Sequence, residues 1–399
     1  MMRIANVVLN DFTRDNRVLK ISESLAAKGH EVTVVALQKS QGAAGGAVPN
    51  TEERPGGWNV VRVGVKSGRL PRGTVFGVIK MAELALRLIQ GWHRVDAWHC
   101  NDIEAFVLGW LAQRFNPKLK LIYDCHEFEA ERNGKSKLER KLVSWLERRM
   151  IRKAAAVITV SPSIAKAYEE RYAKFGMADV HLVRNIPAPR SERGPLEGPG
   201  PDHFRDRFNI PQEGFIALYQ GAFTHNRGLE TALKAMEGLE DSGVHLVLMG
   251  YGLLQPMVEE AANRLPHVHW HPAVPYEQVL EHTQSADVGL VSVRPTCLSY
   301  LYCLPNKLFE YILAGVPVLS NDLPDCRALI EEHQVGRMVQ QDDALGWRDA
   351  VLQMKAEGTA TFQPGLKRSA SELSWSKEAL VLTGIYDELD GKQSVKSSI

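Results

Sequence analysis

Residues 304–318 run Leu-Pro-Asn-Lys-Leu-Phe-Glu-Tyr-Ile-Leu-Ala-Gly-Val-Pro-Val. Pro305 suits the opening of a helix, Leu308, Ile312 and Leu313 form one apolar stripe, and Gly315 stops the helix before a β-branched run. A helix leading straight into an apolar strand is half of a parallel-sheet unit, and the same alternation continues outward from it. Strands are expected at Phe215–Tyr219, His245–Met249, Val268–His271, Val288–Val291 and Pro317–Ser320. Further upstream they are expected at Ile4–Leu9, Glu31–Ala36, Val60–Val65, Ala97–Cys100, Leu119–Tyr123 and Ala156–Val160, with helices between them. The clearest helix, Arg14–Ala27, closes on Gly29. The pattern predicts an α/β protein with two doubly wound, Rossmann-like domains facing across a cleft, where the carboxyl ends of both sets of strands would meet ligands.

Around Ile186–Asp202 the alternation dissolves into Pro187, Pro189, Gly194, Pro195, Gly198, Pro199, Gly200 and Pro201, which suit neither a helix interior nor a central strand. The expected division is a first domain over 1–190, a linker over 191–202, a second domain over 203–374 and a closing helix over 375–390. The tail has helical spacing at Leu380, Leu382, Ile385, Tyr386 and Leu389, and residues beyond Gly391 look frayed. No repeat of solenoid length is present.

With 399 residues, 44% hydrophobic and 24% charged, the chain lies in the globular range and is long enough for two cores. Its five cysteines include no Cys-x-x-Cys pair, which points away from a disulfide framework or a structural zinc site and toward a reducing cytoplasm. No apolar run approaches the ~20 residues of a membrane span, and the start is too short for a signal-peptide core. The net charge of +1 conceals an asymmetry. Residues 1–190 carry 31 Lys and Arg against 19 Asp and Glu, and the remainder 17 against 28. A basic half and an acidic half suggest different partners.

Several chemistries lose support at the strand ends. The first strand is followed by Asn10-Asp11-Phe12-Thr13-Arg14-Asp15-Asn16-Arg17, with no glycine-rich turn for a dinucleotide pyrophosphate. Gly250-Tyr251-Gly252 follows a strand, but Gln255 stands where a third fingerprint glycine would fall, so a tight turn competes with a phosphate loop. There is no P-loop and no Asp-x-Asp, so no metal site is expected. The segment at 304–318 offers more. A helix N-terminus holding Asn306 and Lys307 suits an anion, and Glu310, one turn in, can accept two hydrogen bonds from a ribose diol. A solvated first-turn acid is the alternative for Glu310.

This segment resembles the donor-site signature of retaining GT-B glycosyltransferases, in particular glycosyltransferase family 4. There a Glu-x7-Glu motif precedes a Gly-x-Pro-Val strand and its second Glu grips the nucleotide ribose. Glu310 matches that Glu, while Tyr302 stands at the first. Tyr219-Gln220-Gly221 and Asn226-Arg227-Gly228-Leu229 resemble the first strand and loop of the donor domain, where two cations clasp the diphosphate. Ala222 occupies the first of those positions and Arg227 the second, a residue whose forked donors suit phosphate but also suit a surface turn. Val247–Gly252 resembles the next strand and turn, His269–Val274 the segment touching the base, and the helix from Trp375 through Tyr386 the one that packs back on the first domain. The resemblance implies donor contacts from Gly221, Arg227, Gly250, Gly252, Asn306, Lys307 and Glu310.

In the first domain, Arg17–Ala27 and Gly29-His30-Glu31-Val32 resemble the opening βαβ of that family, with Phe12-Thr13 at its Gly-Gly turn. Asp11, Arg14, Asp15 and Arg17 are candidate acceptor contacts, although Asp15 also suits a helix N-terminal acid. Trp98-His99-Cys100-Asn101-Asp102 aligns with a His-x-His-Asp/Glu motif, with Asn101 at the second His. Tyr123-Asp124-Cys125-His126-Glu127 resembles the next His position. His126, Asn101 and Glu127 are the candidate catalytic residues, His126 as a binding or general-base group or as a loop anchor.

The implied activity is transfer of a sugar from a nucleotide diphosphate sugar, UDP- or GDP-linked, to a carbohydrate or lipid-linked acceptor, with retention and with no separate cofactor or metal. It belongs to surface polysaccharide or glycoconjugate synthesis. A non-catalytic sugar-nucleotide-binding protein and a nucleotide-sugar 2-epimerase on the same fold are the alternatives. From Arg132 to Lys153 nine Lys and Arg and two Glu interleave with Leu138, Leu142, Trp145, Leu146 and Ile151. Such a helix fits an anionic bilayer surface or a solvated cover on the first domain. No nucleic-acid motif accompanies the charge. The expected location is cytoplasmic, with a site at the inner face of the membrane in the first of those cases.

Overall fold

The computed structural model describes residues 1–38, 49–66, 74–188 and 201–391. The expected linker at 191–202 lies almost wholly outside the described residues, as does the end of the tail. The chain divides into two units, Met1–Arg184 together with the residues from Glu378 onward, and Asn185–Lys377.

The first unit contains β1 (Arg3–Val7), α1 (Asn16–Ala27), β2 (Glu31–Leu37), β3 (Thr51–Arg54), β4 (Trp58–Val63), α2 (Thr74–Trp92), β5 (Ala97–Asn101) and α3 (Asp102–Ala112). It continues with β6 (Lys120–Cys125), α4 (Lys137–Met150), β7 (Ala154–Thr159), α5 (Pro162–Tyr172) and β8 (Val180–Leu182). Its eight strands run in the order β3-β4-β2-β1-β5-β6-β7-β8, all parallel to their neighbours except β3, which pairs antiparallel with β4. The central strands are buried on both faces, with β5 buried along its whole length, as sheets covered by helices on either side require. The order turns back between β1 and β5, and the loops after these two strands therefore form the crevice in which doubly wound sheets place their ligands.

The second unit contains α6 (His203–Phe208), β9 (Phe215–Ala222), α7 (Leu229–Ala235), β10 (Val244–Tyr251), α8 (Gln255–Arg264), β11 (Val268–His271), α9 (Val279–Thr283), β12 (Val288–Val291) and α10 (Leu298–Leu301). After these come α11 (Asn306–Leu313), β13 (Val318–Ser320), α12 (Pro324–His333), β14 (Gly336–Met338), α13 (Ala344–Glu357), α14 (Gln363–Glu372) and the start of α15 (Trp375–Leu389). All six strands are parallel, in the order β11-β10-β9-β12-β13-β14. The reversal here falls at β9, between β10 and β12. Phe309, Tyr311 and Ile312 of α11 are buried beside Leu218, Leu290 and Leu319 of the sheet in one core.

The fold is the expected pair of Rossmann-like α/β units. The strands missing from the expectation are β3, β8 and β14. They are four, three and three residues long and carry Thr-Glu-Glu-Arg, Val-His-Leu and Gly-Arg-Met, too short and too polar to show a strand period. The helix expected from Arg14 begins at Asn16, because Asp15 caps it by accepting a hydrogen bond from Val18 N at 3.1 Å. From Glu378 onward α15 belongs to the first unit, where Glu378 takes hydrogen bonds from Arg184 N (2.7 Å), Nε (2.9 Å) and Nη2 (2.6 Å).

Candidate functional site

In the second unit the candidate residues gather where β9 ends. The sheet terminates at Gln220-Gly221-Ala222, and α11 begins at Asn306 without a side-chain cap or an acid in its first turn, so its N-terminal N–H groups keep their attraction for an anion. Lys307 Nζ lies 3.6 Å from the centroid of the Tyr219 ring, and the Arg227 guanidinium carbon lies 4.7 Å from that of Tyr300. Each cation thus rests on an aromatic face, which fixes its side chain before any ligand arrives. Burial, and then the positive charge of Arg227, push the Lys307 ammonium down to about 7, against the opposing pull of Glu310. The two cations repel each other, and an anion between them relieves the repulsion.

Glu310 points into a chain of hydrogen bonds. Thr283 Oγ1 shares its one proton between Gln220 Oε1 at 2.8 Å and Val279 O at 2.7 Å, and Gln220 Nε2 donates to Glu310 Oε2 at 2.5 Å. The next side chain, Tyr311, donates its hydroxyl to Leu218 O at 3.0 Å and accepts from Gln220 N at 3.2 Å, locking the helix to the strand end. Arg227 sits in a loop held by Ser292 Oγ, which donates to Arg227 O at 2.9 Å. The following Gly228 is obligatory, since a Cβ there would lie 2.0 Å from Ser292 O.

Of the expected donor contacts, Gly221, Arg227, Lys307 and Glu310 belong to this one cluster, and Asn306 is exposed at its helix start. Gly221 has a φ of +122°, and the nearest atom to a Cβ there is Lys307 Cε at 3.8 Å. Gly250 packs strand β10 against β9, and Gly252 packs the turn after β10 against the residue that follows β9. A Cβ at Gly250 would lie 2.0 Å from Gly221 O, and one at Gly252 2.5 Å from Phe223 O. Their close approaches are to this chain's own backbone, which accounts for them as a tight turn. Gln220, Thr283, Tyr219 and Tyr300 were not among the expected residues. A polar residue ending an apolar parallel strand was the available signal for Gln220.

In the first unit a second cluster forms after β5 and β6. His126 Nδ1 is 3.5 Å from Asp102 Oδ1, and its Nε2 is 3.5 Å from Asp124 Oδ2. Burial disfavours the imidazolium, but the carboxylates of Asp102 and Asp124 overcome it and raise His126 to about 9. A ring held up at about 9 favours the imidazolium at neutral pH, which suits the binding role among the readings open to His126 better than the general-base one. Asp124 is fully buried and bonded by Arg17 through Nε (2.9 Å) and Nη2 (2.7 Å). Burial works against its charge, yet Arg17 and His126 hold it well below the usual carboxylate range. His99 Nε2 lies 3.1 Å from Asp124 Oδ2 and its Nδ1 2.9 Å from the Tyr386 hydroxyl. Burial lowers the His99 pKa. A neutral ring that donates Nε2–H to Asp124 and accepts the Tyr386 hydroxyl at Nδ1 fits both contacts.

Asn101 is buried, donating Nδ2 to Asn6 Oδ1 at 2.7 Å and Val7 O at 2.9 Å, and its Oδ1 has no hydrogen-bond partner among the described residues. Asp102 follows in the left-handed region at φ +64°, its buried Oδ1 without a hydrogen bond among the described residues and facing the 3.5 Å ion contact with His126. A left-handed backbone and buried acceptors without hydrogen bonds, beside a histidine, make this cluster a candidate binding site for a ligand that donates hydrogen bonds. Glu127 is partly exposed, with Arg132 Nε 3.6 Å from its Oε2. Glu129, outside the expected set, is fully buried, and neither carboxylate oxygen has a hydrogen-bond partner among the described residues. Burial, reinforced by Asp102, pushes it up to about 9.

The four expected acceptor contacts separate. Arg17 is 4% exposed, with Nε, Nη1 and Nη2 bonded to Asp124 and to Val183 O, so its charge serves the interior. Asp15 caps α1 and also accepts from Asn10 Nδ2 at 2.8 Å. Asp11 accepts from Thr13 Oγ1 at 2.8 Å and is buried. Arg14 is exposed. Phe12 takes the left-handed conformation, φ +54°, held by a 2.7 Å bond from its N to Asn10 Oδ1 and by Arg62 Nε donating to Asp11 O at 2.9 Å. The left-handed turn is thus kept without the glycines. Among the described residues no group of three or more His, Cys, Asp or Glu is placed to hold a metal ion.

The profile of the glycosyl transferase 4-like domain matches residues 15–214, and that of glycosyl transferases group 1 matches residues 214–357. The chain belongs to the family 4-like GT-B glycosyltransferases. Solved structures agree on the fold. Sucrose-phosphate synthase from Thermosynechococcus elongatus superposes with a TM-score of 0.76 at 18% identity, covering 98% of this chain and 100% of that one. Anabaena HepE, in complex with UDP and glucose, superposes at 0.69 and 16% identity, again covering 98% and 100%. Phosphatidyl-myo-inositol mannosyltransferase of Mycobacterium leprae is 26% identical over 153 residues, 36% of this chain and 37% of that protein. The chain therefore matches well under half the length of that relative.

Proposed function

We propose that this glycosyltransferase moves a hexose from a nucleotide diphosphate sugar to a carbohydrate or lipid-linked acceptor in surface polysaccharide or glycoconjugate assembly, with retention of configuration. The observation that carries the reading is the pair Lys307 and Arg227, two cations seated on Tyr219 and Tyr300 beside the bare N-terminus of α11. Charge grows on a diphosphate as the glycosidic bond breaks, and preset cations stabilise it without reorganisation, the work a divalent ion does elsewhere. Glu310, steadied by Gln220, accepts the two ribose hydroxyls. A UDP- or GDP-sugar is the donor, in keeping with the UDP and glucose bound in HepE. Asn101, Asp102 and the His126 cation offer hydrogen bonds to sugar hydroxyls.

The test is a thermal-shift series with UDP, GDP, ADP, dTDP and CMP, with and without magnesium, followed by product analysis with the sugar nucleotide selected. Stabilisation by one nucleoside diphosphate, abolished in Glu310→Ala and Arg227→Ala, together with acceptor-dependent release of that diphosphate, is expected. No stabilisation by any nucleotide would overturn the donor assignment. Binding without turnover on a broad acceptor panel would assign the site to a non-catalytic binder, and conversion of the donor without an acceptor would assign it to an epimerase.

A further inference from the structure

Helix α4 covers the first unit with the side that carries Glu147 and Met150, and presents a second apolar face outward. Its inner side carries Glu147, whose carboxylate accepts hydroxyl hydrogens from Tyr123 at 2.8 Å, Tyr168 at 2.7 Å and Tyr172 at 2.6 Å. Its outer side carries Leu138, Leu142 and Trp145, which are 77, 54 and 56% exposed. These three are spaced four and three residues apart and so form one ridge, and Glu147, about two and a half turns beyond Leu138, points away from it. The hydroxyl cage pins the helix in this rotation, because turning the leucines inward would drag the carboxylate out of its three bonds. A ridge of two leucines and a tryptophan kept in water by such an anchor calls for an apolar partner.

The charge around the ridge identifies that partner. Lys137, Lys141, Arg148 and Arg149 are all exposed along it. The helix's other acid, Glu139, is drawn back into a capping box, accepting from Ser136 N at 2.7 Å and Ser136 Oγ at 2.6 Å. Apolar anchors bordered by cations match the boundary between acyl chains and anionic headgroups, where tryptophan settles and Lys and Arg reach up to phosphate. A second copy of the same face would set these cations against their own equivalents. The surplus of 31 basic over 19 acidic residues in 1–190 adds long-range attraction of the same sign. We propose that α4 docks the protein on an anionic lipid bilayer, with Leu138, Leu142 and Trp145 entering the interface and Lys137, Lys141, Arg148 and Arg149 meeting lipid phosphates. This surface lies wholly in the first unit, and its role is independent of the donor reading.

The full chain would be sedimented with vesicles of phosphatidylcholine, alone or mixed with phosphatidylglycerol at about three to one. Binding to the mixed vesicles only, weakened by salt, is expected. The variant Leu138→Gln/Leu142→Gln/Trp145→Gln should bind at least ~10-fold more weakly, and Lys137→Gln/Lys141→Gln/Arg148→Gln similarly, at unchanged melting temperature and with nucleotide stabilisation intact. Leu142→Gln alone gives the same direction with the least disturbance of the helix. Failure of the wild type to bind mixed vesicles, or equal binding by the apolar variant, would overturn the proposal. So would a concentration-dependent dimer that the apolar variant loses, which would give the face to a second copy.

Discussion

Gln220 Nε2 donates a 2.5 Å hydrogen bond to Glu310 Oε2, tying the last polar residue of a parallel strand to the carboxylate proposed to hold the ribose. Because Thr283 fixes the other end of the same amide, Glu310 is oriented before ligand binds. A carboxylate already steered by its neighbours loses little rotamer entropy on binding, which favours affinity.

Removing Glu310 therefore costs more than removing its support. A hydrogen bond to a charged group is worth about 1.5–3 kcal/mol, so Glu310→Ala should weaken the nucleoside diphosphate by ~10- to 100-fold. Gln220→Ala leaves the carboxylate but frees its orientation and should weaken binding by only ~3- to 10-fold. Isothermal titration measures both. Equal affinity in Glu310→Ala and wild type would remove Glu310 from the donor site.

Lys307 makes the same site sensitive to pH. With its ammonium pushed down to about 7 in the free protein, that charge titrates close to neutrality. A diphosphate favours the charged form, so binding above pH 7 takes up a proton and the association constant falls with pH, by at most ~10-fold per unit. Titrations at pH 8 in buffers of different ionisation enthalpy should register that proton in the wild type and not in Lys307→Met. For folding the sign is opposite to that of a favourable pair. The folded value lies below the ordinary 10.5, so the unfolded chain binds more protons between about 7 and 10.5 and the Lys307 contribution to stability rises with pH across that window.

The strand and helix alternation was legible because the central strands of both sheets are parallel, and parallel central strands are continuous apolar runs. Thr51–Arg54 escaped notice for the converse reason, being a polar edge strand specified by its pairing with Trp58–Val61. At the site, Lys307 and Glu310 could be read from the chain because a helix start is a local feature. Arg17 could not. Its partner Asp124 lies 107 residues away, and only the adjacency of β1, β5 and β6 brings α1 to it. His126 was visible as a polar residue after a strand, but its charge state depends on Asp102 and Asp124, set on either side of the ring by two different strand ends.

That charge state gives His126 a distinct pH signature. Held up at about 9, it is a cation through the neutral range, so transfer should persist from pH 6 to about 8.5 and fall as the ring loses its proton. A general base of ordinary pKa would instead lose activity on the acid side, below about 6.5. The folded value exceeds the ordinary 6.5, so the His126 contribution to stability is complete below 6.5 and is lost as pH rises through about 9. Urea denaturation at pH 6 and pH 9.5 should show a smaller difference in His126→Gln than in wild type. An activity profile rising from pH 6 to 9 would contradict the assignment.

Asp124 is where the first unit is most vulnerable. It is the counter-charge of Arg17, which is 4% exposed, and it also receives His99 and faces His126. Asp124→Asn leaves a buried guanidinium without its partner, a change that costs about 3–5 kcal/mol in other buried pairs. Replacing both residues, in Arg17→Met/Asp124→Asn, removes the stranded charge and should recover part of that loss. The folded pKa lies well below the ordinary 3.8, so the Asp124 contribution to stability is present above that value and lost as pH falls toward the folded one. Wild-type stability should accordingly decline in acid below about pH 4 more steeply than that of the double variant. Chemical denaturation of the three proteins at pH 7 and at about pH 3, inside that window, supplies the comparison. A single variant as stable as wild type at pH 7 would show that the Arg17 charge finds another partner.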